Sequence, residues 1–282
     1  FVYDLDETLA HYELRGEISK KIGYALAEHY DRRIFRAIAK GARKASPVSA
    51  SGKAEPGGTQ IRVGSTGTAA SDAYDPGHLV NAFYDAAAAL DEKGVSSQGR
   101  VAVLNPRQYY ALINATGSAN GSAVVSTGLV NRDVQGNALQ GGQGVIEIAG
   151  IKIYKSMNIP FFGNYGTKYG SGSATNPGVA NPGNVGDFVG KAIESTDDGN
   201  QTAGQYGVAS DFSKSCGLIF QKEAAAVVEA IGPQVQVTNG DISVIYQGDV
   251  ILGRLAMGTD YLNPAACVEL FAGATTGNGV IS

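Results

Sequence analysis

Residues for chemistry are scarce in this chain of 282 residues, which has two cysteines, Cys216 and Cys267, and three histidines, His11, His29 and His78. Two cysteines in so long a chain cannot hold it together as a disulfide framework, so both read as buried free thiols. No His-x-x-x-His or Cys-x-x-Cys spacing occurs, which removes the common zinc patterns. There is no Gly-x-Ser-x-Gly nucleophile elbow and no dinucleotide-binding glycine fingerprint. Charged residues make up 17% and the formal net charge is −4, which argues against a surface built to coat nucleic acid. No apolar run reaches the length of a membrane span, and no stretch reads as a signal peptide. Without a secretory signal, the glycosylation-like triplets starting at Asn114, Asn120 and Asn200 read as chance. Fourteen tyrosines are present, but not in a basic, aromatic-interleaved sheet motif of the kind that stacks bases.

What is abundant points elsewhere. The chain is 43% hydrophobic, enough for one large domain or two smaller ones, and its 39 glycines fall mostly in long loops. The run from Asp4 to Lys44 reads as one helix, the spine of the molecule. Leu5, Leu9, Tyr12, Ile18, Ile22, Leu26, Ile34 and Ile38 recur near a 3.6-residue period. Glu17–Lys21 and Glu28–Arg32 are spaced for acid-before-base pairing. Acids crowd its start and Arg36, Lys40, Arg43 and Lys44 its end, complementing the helix dipole. Gly41 and Ser46-Pro47 read as its stop.

Further along, Thr59–Val63 reads as a strand. Asp75-Pro76 caps a helix over 76–93, Arg100–Leu104 reads as a buried strand, and Asn105-Pro106 caps another helix. Gly144–Ile148 and Ile151–Tyr154 flank Ala149-Gly150 as a hairpin. Gly117–Gly144 is loop-like, with a short strand candidate at Ala123-Val-Val. Gly163–Ser210 reads as a long surface loop that carries no chemistry of its own. Strands are expected at 217–220, 226–231, 235–237, 250–252 and 266–271, with a weaker alternation over 241–246. Asn263-Pro264 turns the chain, and the tail after Gly273 frays.

Two motifs suggest chemistry and fail on context. Phe1–Leu9 holds Asp4-x-Asp6-x-Thr8 after an apolar stretch, like the nucleophile loop of magnesium-dependent haloacid-dehalogenase-type phosphatases. That chemistry needs a downstream Gly-Asp pair with a second acid, whereas Gly248-Asp249 runs on into Val-Ile-Leu-Gly-Arg. Gly186–Lys191 is one residue short of a phosphate-binding loop and ends in Ala192 where Ser or Thr should hold the metal.

Four ordered segments carry a resemblance. They are Tyr3–Arg15; Gly99-Arg-Val-Ala-Val-Leu-Asn-Pro-Arg-Gln-Tyr109; Ile148–Ser156 ending in Ile159-Pro160; and Gly253–Gly258 with Leu262–Ala266. Together they resemble the major capsid protein of T-seven-like, short-tailed (podovirus or autographivirus type) bacteriophages. The resemblance implies an α+β Hong Kong 97-type capsid fold, in which residues 1–98 and about 232–273 form a peripheral domain and 274–282 a tail. Residues 99–231 would form an axial domain, with the glycine-rich 163–210 loop.

The implied function is an icosahedral shell enclosing a double-stranded DNA genome without sequence preference. The implied partners are copies of itself in pentamers and hexamers, a scaffolding protein, and a portal at one vertex. The protein would sit in the virion after assembly in the host cytoplasm, with no membrane partner. No catalytic, cofactor-binding or metal-binding residue is implied, and no cofactor. In the family an N-terminal arm and an extended loop precede the spine, so the natural chain is expected to extend upstream of Phe1. The alternatives are a cellular nanocompartment shell protein of the same fold, like encapsulin, and, more distantly, a phosphatase acting through Asp4 and Asp6.

Overall fold

The computed structural model describes residues 1–3, 5–6, 9, 14–46, 56–64, 75–113, 146–156, 158–159, 215–238 and 247–272. The expected loops at 117–144 and 163–210, the weak strand at 241–246 and the tail after Gly273 lie outside these residues. In order, the elements are β1 (Val2–Tyr3), α1 (Leu14–Arg43), β2 (Thr59–Val63), α2 (Pro76–Glu92), β3 (Val101–Leu104) and α3 (Pro106–Ile113). They continue with β4 (Ile146–Ile148), β5 (Ile151–Lys155), β6 (Ser215–Phe220), β7 (Ala225–Val237), β8 (Gly248–Asp249) and β9 (Ile251–Tyr261). A 3₁₀ turn over Pro264–Ala266 leads into β10 (Cys267–Ala272).

The chain divides into two compact units, Phe1–Ile34 with Val227–Thr259, and Phe35–Ala226 with Asp260–Ser282. The second unit is built on a six-stranded sheet of order β2-β10-β6-β3-β5-β4. Pairs β2–β10 and β3–β5 are parallel, and β10–β6, β3–β6 and β4–β5 are antiparallel. Helix α2 lays Leu79, Phe83, Ala86 and Leu90 into the core at 0% exposure, beside Val63, Ala102, Leu104, Ile151 and Ile219. Its start is set as the sequence implies: Asp75 caps it by accepting from the Gly77 N–H at 2.8 Å, and Pro76 takes the first position. Gly217 sits opposite Leu104, where a Cβ would come within 2.4 Å of the leucine Cδ2. Ala149 and Gly150 both have positive φ, 52° and 74°, closing the β4–β5 hairpin with the tight turn that its two-residue length requires.

The end of α1 is fixed to this sheet by charge. Glu269, 0% exposed on the sheet's second strand, faces Arg43, which is 2% exposed. Arg43 donates from Nε at 2.7 Å and from Nη2 at 2.6 Å, one bond to each carboxylate oxygen. Gln60 donates to the same carboxylate at 2.9 Å, and the Ser215 hydroxyl donates to it as well. Burial pushes the Glu269 pKa up, but the Arg43 charge and the bonds from Arg43, Ser215 and Gln60 outweigh it and hold the carboxyl below its usual range. Gly41, expected to stop the helix, lies inside it. A Cβ there would come within 2.8 Å of Cys267 Sγ and Tyr261 Cβ, so this glycine serves close packing.

The first unit is organised differently. Val2 and Tyr3 pair antiparallel with Asp249 and Gly248, and Arg15 meets Asp249 at 2.6 Å. Strands β7 and β9 form a two-stranded ribbon. Gly253 lets β9 lie close on α1, where a Cβ would come within 2.5 Å of Ile22 Cγ2. The Tyr30 hydroxyl donates to Glu229 at 2.5 Å, tying β7 to the same helix. The Thr238 N–H donates to the Val250 carbonyl at 3.0 Å, and the Val250 N–H to Thr238 Oγ1 at 2.9 Å, pinning the ribbon near its end.

Some expectations are met and others need correction. Apart from Lys44, the described residues of the spine helix expected over 4–44 are helical: Leu14–Arg43 runs unbroken past Gly16 and Gly23, and residues 5, 6 and 9 are helical as well. Glu17 pairs with Lys20 rather than Lys21, whereas Glu28 does pair with Arg32. The strands expected at 226–231 and 235–237 are one, β7, because each strand of a two-stranded ribbon has a free edge that tolerates Pro233 without an N–H. Likewise the strand expected at 250–252 begins at Ile251 and runs on to Tyr261 as one strand, β9.

Removing the Glu269 carboxylate would leave Arg43 buried without its charge partner. Glu269→Ala is expected to lower the stability of the unassembled subunit by about 3–5 kcal/mol in urea unfolding followed by circular dichroism. Because the folded pKa is depressed, the contribution is complete above the unfolded value and lost as pH falls below about 4.5. Glu269→Gln should therefore flatten the stability loss between about pH 5 and pH 3 relative to wild type. An unchanged acid profile in that variant would contradict the assignment.

Candidate functional site

No constellation for catalysis assembles among the described residues. They contain no group of three or more His, Cys, Asp and Glu side chains that could hold a metal ion. His29 accepts a hydrogen bond from Arg33 Nε at 3.1 Å on the same helix, and His78 is half-buried in the first turn of α2. Asp6 is exposed, and Asp4 and His11 lie outside the described residues, as do Gly186–Lys191.

The two thiols are free and buried in the second unit. Burial, with a smaller push from the Glu269 charge, drives the Cys216 thiol far above its ordinary pKa. Burial raises Cys267 to about 12, against a smaller opposing pull from Lys93. Neither can act as a thiolate near neutral pH. A cavity of about 460 Å³ in this unit is lined in part by Lys93, Ser96, Glu223, Tyr261 and Asn263. Lys93 is spoken for, donating to the Gly57 carbonyl at 2.5 Å and to the Thr59 hydroxyl. Arg100 is similarly engaged, bonding Asp91 at 2.7 Å and the Ser96 carbonyl at 3.0 Å, which fixes the turn from α2 to β3.

What stands out is surface rather than a pocket. Among the described residues, Val2 is the one buried apolar side chain in Phe1–Ile34 and Val227–Thr259. The other thirty belong to the second unit. Exposure runs the opposite way. Of the thirteen large apolar side chains left exposed among the described residues, nine fall in the first unit: Phe1, Tyr3, Leu5, Leu9, Tyr24, Val228, Ile231, Val237 and Leu252. Apolar surface exposed on this scale is suited to contact.

This α+β architecture is shared with shell subunits of phage heads. The capsid structure of cyanophage P-SCSP1u is similar at 27% identity and a TM-score of 0.68, over 98% of this chain and 71% of that one. The mature capsid of bacteriophage PhiM1 shares the fold at 14% identity and a TM-score of 0.55, covering 96% of this chain and 68% of the other. So does a structure from Mycobacterium phage Che8, at 17% identity and a TM-score of 0.51, covering 95% and 67%. No curated protein sequence gives a significant match. Residues 1–271 match the family described as Gp10A-like major capsid protein, and the chain belongs to that family. It is a phage capsid shell protein, a structural component of the virion that functions as an oligomeric assembly. Neither the nanocompartment nor the phosphatase alternative is favoured.

Sequence reasoning located both buried thiols and missed the exposed ribbon residues, because Val228, Ile231, Val237 and Leu252 read as ordinary strand positions. The available signal was length: 225–237 and 251–261 offer far more apolar strand than a single helix can cover. The thiol environments lead to a direct test. At pH 8 Ellman's reagent should label native subunits only slowly, and two thiols per chain should react once guanidinium unfolds the protein. Labelling of either cysteine in the native state at the rate of a free thiol would refute this placement.

Proposed function

We propose that this chain is the major head subunit of a short-tailed, T-seven-like bacteriophage, with the Hong Kong 97-type fold. It builds an icosahedral shell of pentamers and hexamers around double-stranded DNA, with a portal at one vertex. Assembly takes place on a scaffolding protein in the host cytoplasm. The observation that carries this reading is the family match over residues 1–271, together with the likeness to the cyanophage capsid over 98% of the chain. The charge supports it. A net charge of −4 gives the shell wall little general adhesion to DNA, so the genome can be packed without reading its sequence.

Within that shell, we assign the peripheral role to the unit of Phe1–Ile34 and Val227–Thr259, with its ribbon and the first part of α1, a narrower division than the 1–98 and 232–273 that the resemblance implies. The axial role goes to the unit carrying the six-stranded sheet. The role of the subunit is mechanical, and no residue in it is proposed to be catalytic or to bind a cofactor or metal.

The test is to produce the complete protein together with its scaffolding protein and inspect the product by sedimentation and negative-stain microscopy. Closed, uniform particles are expected. Discrete monomers as the sole species at high concentration would overturn the reading.

A further inference from the structure

We infer that the cavity walled by the α2–β3, β6–β7 and β9–β10 connections is a binding site for a small organic carboxylate. The inference is independent of how subunits associate, so it stands or falls apart from the shell-forming reading. The cavity holds about 460 Å³, within the roughly 300–1,000 Å³ of small-molecule sites. Its wall is built from residues 93–96, 223 and 261–265 with Pro56, all of them in the second unit.

Lys93 sets the charge that the site takes. Its two bonds go to neutral oxygens, the Gly57 carbonyl and the Thr59 hydroxyl, which fixes the ammonium in place without balancing it. An ammonium has three N–H donors, so one remains for a ligand. Among the described residues no carboxylate pairs with Lys93. Burial lowers its pKa, and the group that opposes this is Cys267, a thiol that stays neutral. An anion seated against this half-buried cation offsets the cost of its desolvation.

The neighbours narrow the class. The Ser96 hydroxyl accepts from the Gln98 N–H at 3.2 Å and keeps its own proton to donate. Asn263 Oδ1 accepts from the Ala265 N–H at 3.1 Å, which leaves the amide NH₂ as a donor. A single ammonium balances one negative charge. The second charge of a phosphate would stay unbalanced beside Glu223, the one acid in the wall. Val95, Leu262 and Pro264 supply apolar wall for the body of the ligand. A ligand held there ties three connections of one unit together, so occupancy stabilises the folded subunit.

Benzoate is the probe, with benzamide as its uncharged counterpart and inorganic phosphate as the multiply charged anion. Binding to unassembled subunits is followed by amide chemical shifts and by Tm. Benzoate should shift the signals of 93–96 and 261–265 saturably and raise Tm, and benzamide and phosphate should bind at least about tenfold more weakly. No saturable shift with benzoate, or equal or tighter binding of either control, overturns the inference.

Two variants locate the site. Lys93→Met keeps the stem without the charge and should weaken benzoate at least about tenfold. Glu223→Gln leaves the bonds of Lys93 in place and should tighten benzoate about threefold, by removing the acid from the wall. Wild-type affinity in folded Lys93→Met, or unchanged affinity in Glu223→Gln, contradicts the assignment. Should Lys93→Met fail to fold, the benzamide comparison and Glu223→Gln decide the question.

Discussion

Apolar burial is the constraint on which the structure depends, and it is spent almost entirely on one sheet. Strand β10 lies between β2 and β6, and β6 in turn carries β3, so four strands share one buried layer with α2. A sheet covered in this way can hold a charge only if that charge is matched, which is why Glu269 and Arg43 meet through two hydrogen bonds, with Gln60 and Ser215 completing the carboxylate's partners. The pair adds direction to a core that is otherwise held by contact alone. It fixes which turn of α1 lies on the sheet, and Gly41 brings Cys267 and Tyr261 against that turn.

The other unit holds together by different means. Its order comes from an ion pair at Arg15–Asp249, a hydrogen bond at Tyr30–Glu229 and close approach at Gly253, with Val2 as its one buried apolar side chain among the described residues. The exposed Tyr30–Glu229 link contributes about 1 kcal/mol at most, while the Arg15–Asp249 pair has its carboxylate buried and its guanidinium half-exposed. For a subunit that ends its life packed among copies of itself, unburied apolar surface is the material from which contacts are made.

Much of the fold was legible because local signals were strong. Asp75-Pro76 and Asn105-Pro106 start helices where the cap-plus-proline pairing implies, and Ala149-Gly150 turns the hairpin between the expected strands. Legibility failed where tertiary context overrides local chemistry. Gly41 reads as a helix stop until Cys267, more than two hundred residues away, is seen to need the space. Gly232-Pro233 reads as a break until the strand proves to have a free edge. Glu269 offered a clue that went unused: a single acid inside the apolar run Cys267–Phe271 calls for a buried cation, though nothing local names Arg43. The contact surface was the least legible part, since a strand residue left uncovered and one buried in a core have the same composition.

A reconstruction of the closed shell at side-chain detail measures the central claim most directly, that surface left open by the ribbon unit is closed by neighbouring copies. The account predicts atoms of an adjacent subunit within about 4.5 Å of Val228 and Leu252 at the shell's quasi-equivalent positions. Val228 and Leu252 facing solvent at every position in the shell would contradict it.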